Sequence, residues 1–373
     1  MKTHSLQRAL VRLCMLAALA AAQSAHAAGD FYEQRNLVSN GGVAAANTDP
    51  NLVNGWGTAF NPFGFLWVAD NGTGVSTLYD GAGKPQTLVV QIPSPTGASG
   101  GTPTGIVFNG SSDFAVTRND KSGPSRFLFA TEDGVIAGWA PNVDPTHAIK
   151  VVDNSASAGA VYKALALSAD GAGSKLYAAD FHNNRIDVFD AGFKPVQLAG
   201  SNFSDPGLPA GFAPFGLQAI AGNIYVSYAK QDASGHDEVA GRGLGYVNVF
   251  APDGRLIRRL VSGGKLNAPW GMALAPAGFG RFAGRLLVGN FGDGTLHAYD
   301  FASGRFVGTL KDAGRRPLTI DGLWGLAFGN GFQNQPVNTL FFAAGPNDEK
   351  QGLVGRIDVA PDEGHDDDEA ASE

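Results

Sequence analysis

Hydrophobic residues along the chain fall in short runs that glycine, aspartate, asparagine and proline interrupt, and helical periodicity is scarce. Short apolar runs between turn-forming residues are typical of β-strands. One short sequence motif, here called the repeated phrase, recurs along the chain. It reads NGWGTAF at 54–60 and has counterparts at 102–108, 213–220, 268–276 and 322–328. Its repeat position recurs every 48 to 59 residues and is occupied by Gly57, Gly105, Ala164, Gly216, Gly271 and Gly325.

Each repeat continues with the same series of apolar runs and turns. The phrase predicts a first strand, a run of large apolar residues predicts a second, and two runs around a tight turn predict a third and a fourth. Two or three β-sandwiches are the alternative, but they would not repeat one motif at an even period. The sequence therefore predicts an all-β fold, a six-bladed β-propeller of four-stranded antiparallel blades. The expected blades cover residues 54–92, 102–154, 161–199, 213–261, 268–310 and 321–360.

The two ends of the repeat array complement each other. The sixth repeat lacks a fourth strand, while the segment 34–40 is a strand-like run ahead of the first repeat. We expect this N-terminal strand to complete the sixth blade and to close the ring, because an open ring would leave a long unpaired edge.

Large and small residues alternate within the repeated phrase. The residue before the repeat glycine and those two and four positions later share one face of the strand and are mostly large, whereas the other face is mostly Gly and Ala. We expect the large face of one blade to stack on the small face of its neighbour. Burial of each large side chain would then contribute about 1.5–3 kcal/mol.

The repeats resemble NHL-type repeats, which carry the motif Pro-x-Gly-hydrophobic-Ala on the innermost strand. Later in each such repeat, an Asp-x-x-Gly motif forms a turn. The whole chain after its first residues also resembles a group of uncharacterised exported bacterial propeller proteins that open with NLVSN and DPNLVNGWG, as this chain does at 36–40 and 49–57. Both resemblances imply the propeller fold, and neither implies an activity.

The two ends of the chain differ from its body. Residues 1–27 combine basic residues, an apolar run and Ala-His-Ala, which indicates a secretory signal peptide rather than an N-terminal core helix. We therefore expect an exported protein, periplasmic or secreted. Residues 361–373 are rich in Asp and Glu and contain neither Lys nor Arg, which predicts a disordered acidic tail. The propeller domain is expected to cover residues 28–360.

Charge and composition narrow the range of partners. The chain carries a formal net charge of −7, and much of the negative charge lies in the tail. The body between signal and tail is close to neutral and shows no basic patch, which argues against nucleic acid as a partner. No apolar run after the predicted signal reaches the length of a membrane span, so we expect no membrane insertion.

The single cysteine, Cys14, lies within the predicted signal, so a stable core must hold the domain without disulfides. We expect a monomer.

The loops between second and third strands bring Asp, Asn and His residues to one rim of the propeller, where His182 and His236 are candidate ligand-binding residues. His236 lies in the one sizeable insertion, 229–243, which we expect to be a mobile flap over a ligand or a tolerated insertion. The position before the repeat glycine offers further candidate ligand-binding residues. Four of them are aromatic and could either stack on a ligand or pack between blades, and the fifth is a lysine that interrupts the aromatic series. These are Trp56, Lys163, Phe215, Trp270 and Trp324.

A rim of carboxylate and amide oxygens suits Ca²⁺. Six-bladed lactonases of the gluconolactonase and paraoxonase kind hold such a metal in the channel, and the resemblance implies Asn54, Asn267 and Asp321 as its nearest equivalents here. No innermost strand of this chain carries Asp or Glu, where those enzymes place ligands. The alternative is that these are ordinary turn residues.

No nucleophile, base and orienting group occur at a spacing that indicates catalysis, so no catalytic residue is assigned. We therefore expect an exported, non-catalytic binding or scaffold propeller for a protein, glycan or small molecule. The alternative is a Ca²⁺-dependent, lactonase-like hydrolase with its site at the channel mouth. No cofactor other than a possible Ca²⁺ is expected.

Overall fold

The computed structural model describes Gly29 and residues 31–170, 173–198 and 202–361. The predicted signal peptide and all of the predicted tail except Pro361 lie outside the described residues. Within the described part of the chain, six small antiparallel sheets form the blades of a β-propeller, as the repeat predicts. Their innermost strands contact one another in a closed cycle, with the last blade against the first.

The first two strands of the described chain are β1 (Tyr32–Ser39) and β2 (Asn47–Thr48). Blade 1 follows with β3 (Gly55–Phe60), β4 (Leu66–Asp70), β5 (Val75–Tyr79) and β6 (Val90–Gln91). Blade 2 contains β7 (Pro103–Phe108), β10 (Phe127–Thr131), β11 (Val135–Trp139) and β12 (Ile149–Asp153). An additional hairpin, which the sequence did not predict, is inserted within it as β8 (Ala115–Arg118) and β9 (Lys121–Pro124).

Blade 3 contains β13 (Tyr162–Asp170), β14 (Gly173–Asp180) and β15 (Arg185–Phe189), preceded by the short helix Ser155–Ala158. The predicted fourth strand at 195–199 is reduced to one bridge between Phe189 and Pro195 in the described residues. Proline has no N–H to donate to a ladder, which is consistent with this interruption.

Blade 4 contains β16 (Phe212–Ile220), β17 (Asn223–Gln231), β19 (Tyr246–Phe250) and β20 (Leu256–Ser262), and the two-residue β18 (Glu238–Val239) pairs with β17. Blade 5 contains β21 (Pro269–Leu274), β22 (Arg285–Asn290), β23 (Leu296–Asp300) and β24 (Phe306–Thr309), with the 3₁₀ turn Gly280–Phe282 between its first two strands. Blade 6 contains β25 (Leu323–Phe328), β26 (Leu340–Ala344) and β27 (Leu353–Val359). The described residues contain no helix long and apolar enough to cross a membrane.

The N-terminal strand closes the ring as predicted. β1 pairs antiparallel with β27, from Tyr32 opposite Val359 to Ser39 opposite Leu353, with one register shift between Asn36 and Val38. β2 adds a parallel strand outside β1. The last blade therefore combines chain from both ends of the described domain.

The small positions of the innermost strands lie directly against the following blade. A Cβ atom at Gly57 would overlap the carbonyl oxygen of Thr104, and one at Gly325 would overlap Thr58 across the closure. Gly271 likewise lies against the backbone of the next blade. The predicted stacking of large on small faces is confirmed, and each glycine faces the strand of the blade that follows it.

Candidate functional site

Aromatic side chains from distant blades meet at the centre of the ring. The indole of Trp324 is stacked between Trp56, 3.8 Å away between ring centroids, and Phe291, 3.9 Å away. Phe215 and Trp270 pack on the same indole at 5.6 and 5.8 Å. We call these five residues the aromatic cluster.

The aromatic cluster is a packing unit. Trp56, Phe215 and Trp324 are at most 1% exposed and Trp270 is 9% exposed. Both faces of the Trp324 ring contact other rings, so they are not free to stack on a sugar or a flat cofactor. Of the two interpretations that the sequence left open, the geometry favours packing between blades.

Lys163 occupies the same strand position in blade 3, and it is a buried residue rather than a surface lysine, with 1% of its side chain exposed. Its Nζ lies 5.2 Å from the centroid of the Trp56 ring. The same atom pairs with Glu132 at 2.6 Å and with Asp237 at 3.2 Å. Burial lowers the pKa of Lys163, but the surrounding carboxylates outweigh that effect and hold its pKa above the usual value. Lys163 is therefore charged throughout the physiological range.

Four carboxyl groups act on this one ammonium. Glu132 comes from the turn after β10, Asp237 and Glu238 from the insertion of blade 4, and Glu349 from the turn after β26. Burial raises the pKa of Glu349 to about 7, and the charges of Glu238 and Glu132 add to that effect. Burial also raises the pKa of Glu238 to about 6. We call Lys163 and the four carboxyl groups the acidic mouth, since they lie at the channel end where the innermost strands start.

Amide side chains connect the acidic mouth to the aromatic cluster. Nδ2 of Asn54 donates to a carboxylate oxygen of Glu349 at 2.9 Å and to Oδ1 of Asn71 at 3.3 Å. Nδ2 of Asn71 in turn donates to Glu132 at 2.7 Å. Oδ1 of Asn54 accepts the indole N–H of Trp324 at 3.0 Å. Asn54 was predicted as a metal ligand, but its only amide oxygen already has this protein partner.

The turn that carries Glu349 is strained. Asn347, Asp348 and Glu349 have φ angles of 58°, 50° and 63°, three successive residues other than glycine in the left-handed region. Each such residue costs about 1–2 kcal/mol relative to the right-handed conformation. Asp321, the second predicted metal ligand, supports this turn by accepting the N–H of Asn347 at 2.9 Å.

Asn267, the third predicted metal ligand, connects the insertion to blade 5. Its Oδ1 accepts the N–H of Gly241 at 2.6 Å, and its Nδ2 donates to Asp293 at 3.1 Å. Asn54, Asn267 and Asp321 thus each bind a different partner, and no contact within the described chain brings the three together on one point. Their predicted role as joint Ca²⁺ ligands stays a prediction.

The insertion at 229–243, expected to be a mobile flap or a tolerated insertion, folds back over the acidic mouth. β18 pairs with the end of β17, and Nδ1 of His236 lies 2.8 Å from Asp237. Ligand atoms of Glu132, His236 and Asp237 lie within 4.8 Å of one another, close enough to share a metal ion. His182 is exposed and lies beside the insertion, where its carbonyl oxygen accepts from Gln231 at 3.3 Å.

Sequence reasoning missed several residues of this site. Glu238 and Glu349 were not singled out, although both lie in loops that it assigned to the rim. Phe291 and Phe181, whose ring centroid lies 5.9 Å from Lys163 Nζ, were also missed. Both phenylalanines directly follow the polar residue that ends a second strand, Asp180 or Asn290, and that shared position is a signal that could have found them.

Fold and site together define a six-bladed β-propeller whose channel holds a cluster of aromatic residues beneath an acidic mouth. No protein-family model matches the chain. It is 36% identical over 329 residues to uncharacterized protein R648 of Acanthamoeba polyphaga mimivirus, an alignment that covers 86% of this chain and 78% of that protein. The chain belongs to the family of that viral protein. Its membership of an exported bacterial group with NHL-type repeats stays a prediction.

Solved structures share the fold at low sequence identity. A streptogramin B lyase matches with a TM-score of 0.50 and 13% identity, over 88% of this chain and 97% of the lyase. A glucose dehydrogenase matches with a TM-score of 0.50 and 14% identity, over 87% of this chain and 98% of the enzyme. Two enzymes with different reactions share this architecture, so the fold leaves the activity open.

Proposed function

We propose that the protein is an exported, non-catalytic binding propeller that holds a small organic cation, such as an alkylammonium group, at the acidic mouth. The observation that carries the proposal is the ratio of four carboxyl groups to one buried ammonium. An added positive charge would compensate the charge of Glu238 and Glu349, whose pKa values are raised chiefly by burial.

The contacts of Lys163 favour an ammonium over a metal ion. Its Nζ lies between carboxylate oxygens of Glu132 and Asp237, so these two groups already bind one ammonium group. Ca²⁺ takes about six to eight oxygen ligands, and two of the four carboxyl groups here are already paired with Lys163. Glu238 and Glu349 are left as acceptors for a second cationic group.

Calorimetric titration with putrescine tests this proposal, and CaCl₂ serves as the competing cation. We expect putrescine binding to strengthen from pH 5 to pH 8, because Glu238 and Glu349 lose their protons in that range. Glu238→Gln and Glu349→Gln should each weaken binding about tenfold, as the loss of roughly 1.4 kcal/mol implies. Asp348→Asn is the matched control, since this carboxyl lies in the same turn with a 91% exposed side chain. Equal affinity in all four proteins, or no binding at any pH, would contradict the proposal.

The second candidate function is a Ca²⁺-dependent, lactonase-like hydrolase at the same mouth. The proximity of Glu132, His236 and Asp237 favours it, and so does a Glu349 pKa of about 7, which suits a general acid or base near neutral pH. Hydrolysis of δ-gluconolactone that needs Ca²⁺, stops with EDTA and is lost in Glu349→Gln would replace the binding proposal with this one.

Export is a separate part of the proposal and rests on the sequence of residues 1–27. Expression of the full chain in a Gram-negative host should yield a periplasmic protein whose N-terminus, read by mass spectrometry, is Ala28. Retention of the intact chain in the cytoplasm would contradict export without touching the binding proposal.

A further inference from the structure

A cavity lies at the end of the channel opposite the acidic mouth, where the innermost strands end. Its volume is about 570 Å³, and residues of all six innermost strands line it. Most of the lining side chains are aliphatic or aromatic, Phe60, Leu167 and Leu274 among them, while Thr58, Gln218 and backbone polar groups also line the cavity. No charged side chain occurs among its lining residues in the described part of the chain.

The aromatic cluster closes this cavity on its inner side. Trp270 belongs to the cavity wall and also packs on Trp324, 5.8 Å away between ring centroids. The acidic mouth lies beyond that cluster, around Lys163. A molecule in the cavity would therefore be separated from the acidic mouth by buried indole rings.

Apolar side chains also remain in contact with water at the open end. Leu274 is 36% exposed at the end of β21. Phe63 and Val337 are 84% and 59% exposed in loops that join the first and second strands of blades 1 and 6, at this end of the channel. Exposed apolar side chains at the open end of a channel are typical of a ligand entrance.

We propose that this cavity binds an uncharged small molecule, whose hydrophobic body enters the channel and whose polar end stays near the exposed Gln218. A volume of about 570 Å³ lies within the range of roughly 300–1,000 Å³ that is usual for small-molecule sites. A charged ligand would lose its hydration without gaining a partner, because the walls offer no counter-charge. This site is independent of the cation proposed for the acidic mouth.

Fluorescence titration with N-phenyl-1-naphthylamine, a neutral apolar probe, tests the proposal. We expect saturable binding with one equivalent per chain and quenching of tryptophan emission, because Trp270 forms part of the wall. Leu274→Glu places a charge at the entrance and should weaken binding at least tenfold. Ile257→Glu is the matched control, since Ile257 is 44% exposed on an outer strand away from the cavity, and its affinity should stay within twofold of the parent.

Ala219→Phe provides a second variant without a new charge. Ala219 is an exposed residue of the cavity wall, so a phenyl ring there should narrow the cavity and weaken probe binding while the melting temperature stays near that of the parent. Excess putrescine should leave probe binding unchanged. Non-saturable binding, or equal affinity in the Leu274, Ala219 and Ile257 variants, would overturn the proposal and assign the probe to the exposed surface.

Discussion

Glu349→Gln is expected to stabilise the protein, and to do so only above mildly acidic pH. Burial raises the pKa of Glu349 from its ordinary 4.5 to about 7, so the folded protein holds this proton more tightly than the unfolded chain does. The contribution of Glu349 to stability is therefore fully present below pH 4.5 and is lost as the pH rises through about 7. Glutamine keeps the shape and the oxygen that accepts from Asn54, but it cannot ionise.

The size of the effect follows from the two pKa values. Each pH unit between them is worth about 1.4 kcal/mol, which gives roughly 2–3 kcal/mol after allowance for the part of the side chain that water reaches. Thermal and urea unfolding of the parent and Glu349→Gln should coincide near pH 4.5 and separate progressively up to pH 8, with the variant more stable. Asp348→Asn, which changes an exposed carboxyl in the same turn, should follow the parent at every pH. Coincident curves at pH 8, or a less stable variant there, would refute the assignment of Glu349 as a buried, destabilising acid.

Three further changes test the packing that supports the site. Lys163→Met leaves its carboxylate partners without a cation and should cost about 3–5 kcal/mol at pH 8, with a smaller loss at pH 5 where carboxyl groups can take up protons, as measured by thermal unfolding. Gly271→Ala should cost about 1–3 kcal/mol in urea unfolding, because its methyl group would overlap the next blade, whereas Gly97→Ala, with no atom closer than 3.5 Å, should be nearly neutral. Val38→Asp puts an unpaired charge on the fully buried face of the closing strand and should expose the N-terminal segment to limited proteolysis at a cost of about 2–7 kcal/mol.

The ring and its closure could be predicted from the sequence because both depend on periodic patterns. Repeats of one phrase imply repeated supersecondary units, and the alternation of large and small residues implies which strand faces meet. The orphan segment at 34–40 had one edge left to pair with, and β1 indeed pairs with β27. The inserted hairpin β8–β9 could not be found in this way, since it interrupts the period without a strong apolar run.

The site could be predicted only in outline, because its contacts join residues that are far apart in the chain. Lys163 was recognised as the exception at its strand position, but its burial depends on an insertion that folds back through the short pairing of β18 with β17. Glu349 looked like an ordinary turn residue. The left-handed backbone that directs it toward Asn54 is a property of three successive residues without glycine, and no local pattern marks it.

Two separate costs coincide at Glu349, and neither is needed for the fold. The φ angles at 347–349 store backbone strain, and the raised pKa records a carboxyl group that is destabilised when ionised. Glycine would relieve the first cost, and glutamine would remove the second. Strained backbone and perturbed pKa values cluster where proteins bind or react, since stability alone does not select them. Asn54 donates to this carboxyl group and Trp324 donates to Asn54, so the aromatic cluster holds Glu349 where burial and the charges of Glu238 and Glu132 disfavour its ionisation. A cation that binds the Glu349 carboxylate would gain binding free energy, because this carboxylate is already held in place and the protein need not reorganise to receive the cation.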